Sequence, residues 1–560
     1  LKQNKNNDKR MKKKKFFLFL LVLGFPFFVV AQNNDQRTFR ISKNLNIYNS
    51  LLRELDIFYV DTLNYDKLIK TSIDEMLNRL DPYTVYLPEE ETEDLTFMTT
   101  GEYAGIGALI MKDGNDIVVS EVYEGMPAQR NDIRAGDTIV EVDGEKTEGL
   151  SVNDVSNLLR GTPNSTINIK IKRYGEKKII NKTFLREKIQ INPIGYAAEV
   201  DDKTGYVLLN EFTENAALGV KSVVNDLIKN HHIESLVLDL RNNGGGLVDE
   251  AVQILGYFLP KGTTVVTTKG KNNILDRIYK TPTEPIFPDL KLTILVNRSS
   301  ASASEILAGA IQDLDRGVIV GERTFGKGLV QNIRNISYGG HLKVTTAKYY
   351  IPSGRCIQAI DYSHRNEDGS VGYVPDSLTS EFLTRNGRKV RDGGGIVPDK
   401  QTESKGKLNV AHYIFAQNLY FDFATRYASQ HSTIPTPKNF TLSEEDFNNF
   451  VNYLHEKNFS FSYQTNKYFL QLFQVAKVEG LDSIAGPEFE ALKAKLTPDV
   501  DAEIRENKAE IIDLLSLEII KRYYYQKGQI EFSLRTDDDL KEALQILKSD
   551  ETYSKILSAI

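Results

Sequence analysis

The chain has 560 residues, 41% of them hydrophobic and 26% charged, with a formal net charge of −6; that length and apolar content suit three or four domains rather than one. Residues 1–15 hold eight Lys or Arg against one Asp, so the remainder is acidic and offers no basic field for nucleic acid. The single cysteine, Cys356, excludes an intrachain disulfide.

Met11 opens a basic run, Lys12 to Lys15, followed by the apolar run Phe16–Val30 and then Ala31-Gln32. This reads as a secretory signal peptide over 1–31 that starts at Met11, with Val29 and Ala31 as the small residues before the cut. The run is short for a spanning helix and is broken by Pro26, so an uncleaved inner-membrane anchor is the second reading. Over 32–98 apolar residues recur at helical spacing (Ile47, Leu51, Leu55, then Leu68, Ile69, Ile73, Met76, Leu77), which predicts a small helical region. Asp81-Pro82-Tyr83-Thr84-Val85-Tyr86-Leu87-Pro88 breaks it and reads as a turn between domains.

Residues 99–188 alternate short β-rich runs with turn signals such as Asp113-Gly114-Asn115 and Asp143-Gly144, predicting a small β domain. The ordered set Gly105-Ile106-Gly107-Ala108, Gly125-Met126-Pro127-Ala128 and Ile133-Arg134-Ala135-Gly136-Asp137 resembles a bacterial-type PDZ domain. That resemblance implies a Gly105–Ala108 loop whose backbone N–H groups receive a peptide's terminal carboxylate while the peptide adds as a strand. Ile106 and Leu109 are the expected apolar neighbours of its last side chain.

From Thr204 the pattern becomes apolar strand, long helix, apolar strand, which predicts β-α units with a parallel sheet. Asp239-Leu240-Arg241-Asn242-Asn243-Gly244-Gly245-Gly246 follows one strand. Its glycines suit a tight strand-to-helix turn, and equally a cradle of uncovered N–H groups for an oxyanion. The run Leu292–Val296 leads into Asn297-Arg298-Ser299-Ser300-Ala301-Ser302-Ala303-Ser304-Glu305. Ser302 and Glu305 fit a helix capping box, a structural role that needs no chemistry. Against that stands Thr324-Phe325-Gly326-Lys327-Gly328-Leu329-Val330-Gln331, where one lysine is framed by glycines in apolar surroundings; a desolvated lysine can take a serine's proton. Gln331, four residues on, would share a strand face with Lys327 if both lay in one extended strand.

These two segments resemble the carboxyl-terminal processing peptidases, or tail-specific proteases, of the S41 type, whose S-A-S-A-S-E-I and T-F-G-K-G-x-V-Q motifs recur here with Lys327 placed 25 positions after Ser302. The resemblance implies Ser302 as nucleophile, Lys327 as general base, Gln331 as its orienting partner, and an oxyanion hole from Gly245 or Gly246 with Ala303. Four serines stand together, and the choice of Ser302 rests on the family register. Asp313 and Arg316 match the family's D-x-x-R and read as structural. Ile351-Pro352-Ser353-Gly354-Arg355 and Gly395-Ile396-Val397-Pro398-Asp399 match later motifs, separated by a polar stretch of about 361–393 that reads as an exposed hairpin or insertion. From 401 to 560 the spacing is helical, a region for packing, dimerisation or partners.

No G-x-S-x-G elbow is present, His341 reads as a surface residue, and no H-E-x-x-H or cysteine cluster supports a metal. The expected fold class is therefore α/β multidomain: a core over 189–400, crotonase-like by resemblance, with an inserted PDZ-like β domain and helical N- and C-terminal regions. The expected function is a periplasmic serine endopeptidase that needs no cofactor or metal and recognises protein or peptide substrates by apolar C-terminal tails. A homodimer or an adaptor protein is the further partner expected. The alternative is a catalytically inactive PDZ adaptor that only holds peptides.

Overall fold

The computed structural model describes residues 36–89, 100–271, 273, 275–366, 368–402 and 408–558; the signal-peptide segment expected over 1–31 lies outside them. Among the described residues no helix is long and apolar enough to cross a membrane. The chain divides into two units, up to Arg79 and from Leu80 onward. In the first, a helix over 36–58 and the helix Tyr65–Asn78 are joined by a hydrogen bond between Tyr48 Oη and Ser72 Oγ at 2.7 Å. Asn64 caps the second helix by accepting from the Lys67 N–H. Not all of 32–98 is helical: Val85–Leu87 is a strand of the second unit. The Asp81-Pro82 turn ends the helix and the β-prone Val85-Tyr86 continues extended.

The second unit begins its PDZ-like part with a five-strand antiparallel path in the order β1-β2-β3-β4-β5: β1 (Ala108–Asp113), β2 (Asp116–Val122), β3 (Thr138–Val142), β4 (Thr166–Lys172) and β5 (Ile180–Leu185). The strict buried-exposed alternation of β4 shows why: Ile167, Ile169 and Ile171 all face one core. Helix α1 (Val152–Leu159), capped by Ser151, seals that core with Val155 and Leu159. β1 is an edge strand.

The next sheet is built of β6 (Ile194–Asp201), β7 (Thr204–Leu209), β8 (Ser235–Asp239), β9 (Lys291–Val296), β10 (Val318–Gly321) and a short strand Lys400–Gln401, in that spatial order; all pairs but β6–β7 are parallel. The apolar runs read from the sequence are its central strands, buried on both faces, as a parallel sheet requires. Helices α2 (Ala216–His231), α3 (Val248–Phe258) and α4 (Ala303–Asp313) cover one face. The other face is covered from the far end of the chain, by Leu540, Ala543, Ile546 and Leu547 of the helix Asp538–Lys548, on Tyr206, Val237, Leu295 and Val320. Part of the C-terminal region thus packs on the core sheet.

Two further antiparallel strands, β11 (Leu329–Asn335) and β12 (His341–Tyr350), form a hairpin, and Val85–Leu87 pairs along β12. The 361–393 stretch contains two small hairpins, Ile360–Arg365 with Val371–Tyr373 and Glu381–Leu383 with Lys389–Arg391. The rest of the C-terminal helices have their own core around Phe423, Phe450 and Leu515. They also grip the PDZ-like part: Lys521 pairs with Glu121 at 3.0 Å, and a Cβ on Gly136 would stand 2.4 Å from Thr425 Cγ2.

Candidate active site

β8 and β9 are neighbours, and their carboxyl ends open into two turns that are bonded to each other. The Leu240 N–H donates to Leu295 O, the Ala301 N–H to Asn243 O, and Ser300 Oγ to Leu240 O at 2.8 Å. The end of a parallel sheet is where open α/β folds hold ligands. A cavity of about 420 Å³ lies there, lined by Phe212, Gly244 to Val248, Ser302, Lys327, Gln331, Lys343 and Tyr349 among others.

The four clustered serines separate by where their hydroxyls go. Ser300 and Ser304 are buried and donate to Leu240 O and Asn243 O, and Ser299 is exposed. Ser302 alone of the four lines the cavity. It holds φ +57° and ψ −114° at the start of α4, a conformation that costs about 1–3 kcal/mol for a residue with a Cβ. Ser302 and Glu305 stand in a capping-box arrangement, but the Glu305 N–H donates to the Ser302 carbonyl oxygen at 2.9 Å and the Ser302 hydroxyl closes no cap hydrogen bond of its own.

Glu305 is fully buried and does more than cap. Its carboxylate accepts from the Ser302 N–H at 2.9 Å, the Gly326 N–H at 2.7 Å, the Lys327 N–H at 2.8 Å and Thr324 Oγ1 at 2.6 Å. One carboxylate therefore fixes the backbone of both Ser302 and Lys327. Burial pushes its pKa up to about 7, although all four donors favour the ionised form. Tyr349, also buried, donates its hydroxyl to the carbonyl oxygens of both Ser302 and Lys327.

Lys327 lies in the loop before β11. Burial, reinforced by the Lys343 charge and opposed by Glu305 and Asp81, lowers its pKa to about 8. Among the described residues its Nζ makes no hydrogen bond to Ser302 Oγ; it stands over the Tyr83 ring, 4.3 Å from the centroid. The Asp81–Pro88 segment is therefore more than a turn between domains. Asp81 accepts from the N–H groups of Tyr83 and Thr84, Thr84 Oγ1 accepts from the Thr345 N–H, and Tyr83 is set against the lysine. Tyr362, from the first small hairpin, donates to Tyr83 Oη at 3.4 Å.

Gln331 shares the cavity but its amide donates to Thr345 Oγ1 at 3.1 Å, with no hydrogen bond to Lys327 among the described residues. The strand-face argument fails for two reasons: Lys327 precedes the strand, and a bulge falls between Val330 and Gln331. The glycine turn is equally selective. The Gly245 N–H is held by Asn243 Oδ1 at 2.9 Å, whereas the N–H groups of Gly246 and Ala303 carry no hydrogen bond among the described residues. Gly245 has another task. At φ +103°, its missing Cβ would lie 2.7 Å from Ala301 O and from Ser302 Cβ.

Asn243, Glu305, Thr324, Tyr349 and Tyr83 carry the site's geometry and were not legible as such; of these only Glu305 had a local signal. Asp313 and Arg316 lie outside the cavity. Asp313 forms a buried ion pair with Arg355 at 2.8 Å and Arg316 donates to four main-chain carbonyls, including Phe258 O and Leu290 O. Gln358 accepts from the Gly328 N–H, so the Pro352–Gln358 motif supports the lysine loop. His341 is on the rim of β12, bonded to Asn335. No group of three or more His, Cys, Asp or Glu suited to a metal occurs among the described residues.

In the PDZ-like part, Gly105 ends a strand paired with Glu187–Gln190, and the carbonyls of Ile106 and Gly107 accept from Ala128 and Tyr123. The N–H groups of Ile106 and Gly107 have no partner among the described residues. The Ile106 side chain is 2% exposed and belongs to the core, so it cannot line a pocket; Leu109 is 44% exposed, on the edge strand β1.

A family model for peptidase family S41 matches residues 203–364, one for the PDZ domain matches 118–173, and one for the C-terminal helical domain of probable PDZ-proteases matches 410–547. A carboxy-terminal-processing protease of Bartonella bacilliformis is 34% identical over 409 residues, 71% of this chain and 90% of that protein. The chain belongs to the carboxy-terminal-processing proteases. It is thus a serine-type endopeptidase of the S41 family with a PDZ domain. A probable CtpA-like serine protease of Staphylococcus aureus is 36% identical over 320 residues, 56% of this chain and 62% of that protein, so the chain spans less than two thirds of that relative. The solved structure of a photosystem II D1 C-terminal processing protease is 32% identical, covering 63% of this chain and 86% of that one with a TM-score of 0.35.

Proposed function

We propose that this carboxy-terminal-processing protease cleaves with a Ser302–Lys327 dyad and selects its substrates by a free C-terminus held in the PDZ domain. The observation that carries the reading is one cavity lined by Ser302, by a lysine depressed to about 8 and by Gly246, whose N–H has no partner among the described residues; the Ala303 N–H, next to Ser302 in the chain, has none either.

Lys327, neutral, leaves the Tyr83 ring and takes the proton of Ser302 Oγ as that oxygen attacks the scissile carbonyl carbon. The carbonyl oxygen becomes an oxyanion received by the N–H groups of Gly246 and Ala303. Collapse of the tetrahedral adduct expels the amine, which takes the proton from Lys327; water, deprotonated by the same lysine, then releases the acyl group from Ser302. In a substrate-free site such a hydrogen bond is often not yet closed. Gln331, whose amide donates to Thr345 Oγ1, lines the same cavity and steadies its wall.

In the PDZ domain the tail adds as a strand to the open edge of β1, its carboxylate on the Ile106 and Gly107 N–H groups and its last apolar side chain beside Leu109. The basic and apolar segment at 11–31 supports export to the periplasm. Ser302→Ala and Lys327→Ala should each abolish hydrolysis of an apolar-tailed peptide while the protein stays folded, with a single cooperative melt and an unchanged far-UV spectrum. Full activity in either purified variant overturns the dyad and favours another nucleophile in the same cavity.

A further inference from the structure

The cavity carries a second lysine that the dyad does not use. Lys343 lies on β12, in register with Val85 on one side and Ile333 on the other, and lines the same space as Ser302 and Lys327. Burial alone pushes its ammonium below the ordinary value, and among the described residues no carboxylate pairs with it. Its neighbours in the cavity wall, Leu329, Val330, Ile333 and Tyr349, are apolar or aromatic. A half-buried cation with no counter-ion is unfavourable, and a partner brought by a ligand would relieve that cost.

The other charges around the pair are few. Glu305 on α4 and Asp81 in the Tyr83 turn act on Lys327, and Tyr83 and Tyr349 stay neutral because burial raises both hydroxyls. Glu211 lines the cavity as well, exposed, and forms no ion pair with either lysine. Lys343 is therefore the cation of this wall that no described carboxylate offsets, whereas Lys327 has Glu305 and Asp81 acting on it.

We propose that Lys343 is a carboxylate-binding subsite of the cleft, receiving an acidic group of the peptide that lies across Ser302: either an Asp or Glu side chain near the scissile bond or the free end of a short tail. The inference rests on Ser302 and Lys327 being the dyad. It has a consequence for rate as well as binding. When Lys327 takes the Ser302 proton, two ammonium groups face each other, and a substrate carboxylate on Lys343 offsets that repulsion at the step where it arises.

The test uses the full chain and two sets of peptides with one common apolar tail. In the first, a single Glu is walked through three positions on each side of the cleaved bond, each with its Gln isostere. In the second, short tails end at increasing distance from the bond as free acid or amide. Lys343 as a side-chain subsite predicts one position where Glu exceeds Gln in kcat/KM by about tenfold, a ratio that falls towards one in Lys343→Met, survives in Lys343→Arg and weakens in high salt. Lys343 as a terminal subsite predicts the same pattern for acid against amide at one tail length. In Lys343→Met the alkaline rise of the rate should also move to higher pH, since the like charge beside Lys327 is gone. Should Lys343→Met fold poorly, calorimetric binding of the Glu and Gln peptides to Ser302→Ala, at low and high salt, reads the same contact without turnover. A wild-type ratio near one throughout both series, or a preference that Lys343→Met leaves intact, overturns the subsite. Absence of any Ser302-dependent hydrolysis across the peptides would instead overturn the dyad.

Discussion

The depressed pKa of Lys327 must show itself twice, in rate and in stability. Burial and the Lys343 charge bring the ammonium from 10.5 to about 8. The neutral fraction then rises from roughly a tenth at pH 7 to about nine-tenths at pH 9, so kcat/KM for a tail peptide should climb about tenfold over that interval and level off above it. The unfolded lysine keeps its proton up to 10.5 while the folded one loses it near 8. Below pH 8 the folded state therefore carries the whole cost of a disfavoured charge, about 3 kcal/mol, and that cost disappears as pH rises from 8 to 10.5. Lys327→Met removes the charge and keeps the length. It should be inactive yet more stable than wild type at pH 7 by about 2 kcal/mol, once the lost contact with the Tyr83 ring, about 1 kcal/mol, is subtracted. Its advantage should vanish near pH 10.5. Guanidinium melts of both proteins at pH 7, 9 and 10.5, with initial rates from pH 6 to 10, make the comparison. A flat wild-type rate between pH 7 and 9, together with a variant no more stable at pH 7, would refute the claim that burial primes this lysine.

Glu305→Gln keeps the shape of the buried side chain but turns one acceptor oxygen into a donor that faces N–H groups; kcat should fall by about two orders of magnitude with the far-UV spectrum unchanged, and wild-type kcat would contradict the bracing role. Gly245→Ala at φ +103° places its Cβ against Ala301 O and Ser302 Cβ, so the serine turn must shift and activity should drop at least about 100-fold with a loss of about 1–3 kcal/mol in a denaturant melt. Amidating the tail of a substrate removes the anion and keeps its side chains, so KM should rise about tenfold; equal cleavage of acid and amide below saturation would refute carboxylate capture by the Ile106–Gly107 loop.

What the sequence made legible followed from patterns that are local. The runs Leu236–Leu240 and Leu292–Val296 are apolar at four of five positions each, with Asp239 and Thr293 the exceptions, a density that suits strands covered on both faces, and they are the two neighbours whose ends carry the glycine and serine turns. The small β domain was equally open, because alternation and turn residues repeat every few positions. Where the reading went astray, it extended a local rule past its element. Parity between Lys327 and Gln331 presumed one unbroken strand, and the helical periodicity before residue 80 was carried across the Asp81 turn into Val85–Leu87, whose pairing partner is β12.

The residues that were missed share a different property: their meaning lies in donors and acceptors far along the chain. Thr84 meets Thr345 across 261 positions and Ser304 meets Asn243 across 61, distances over which no spacing rule operates. Glu305 is the instructive case. Three residues after a serine at a helix start, it satisfies the capping rule by the same residue type and offset that bracing Lys327 requires, so the local reading was sufficient and gave no reason to look further. Only the N–H groups of Gly326 and Lys327, converging on the same carboxylate, separate the two roles. The same logic singles out Ser302 among its neighbours. Chemistry in this cleft belongs to the groups that folding leaves unspent, and a sequence can show which groups exist but not which of them the fold has already used.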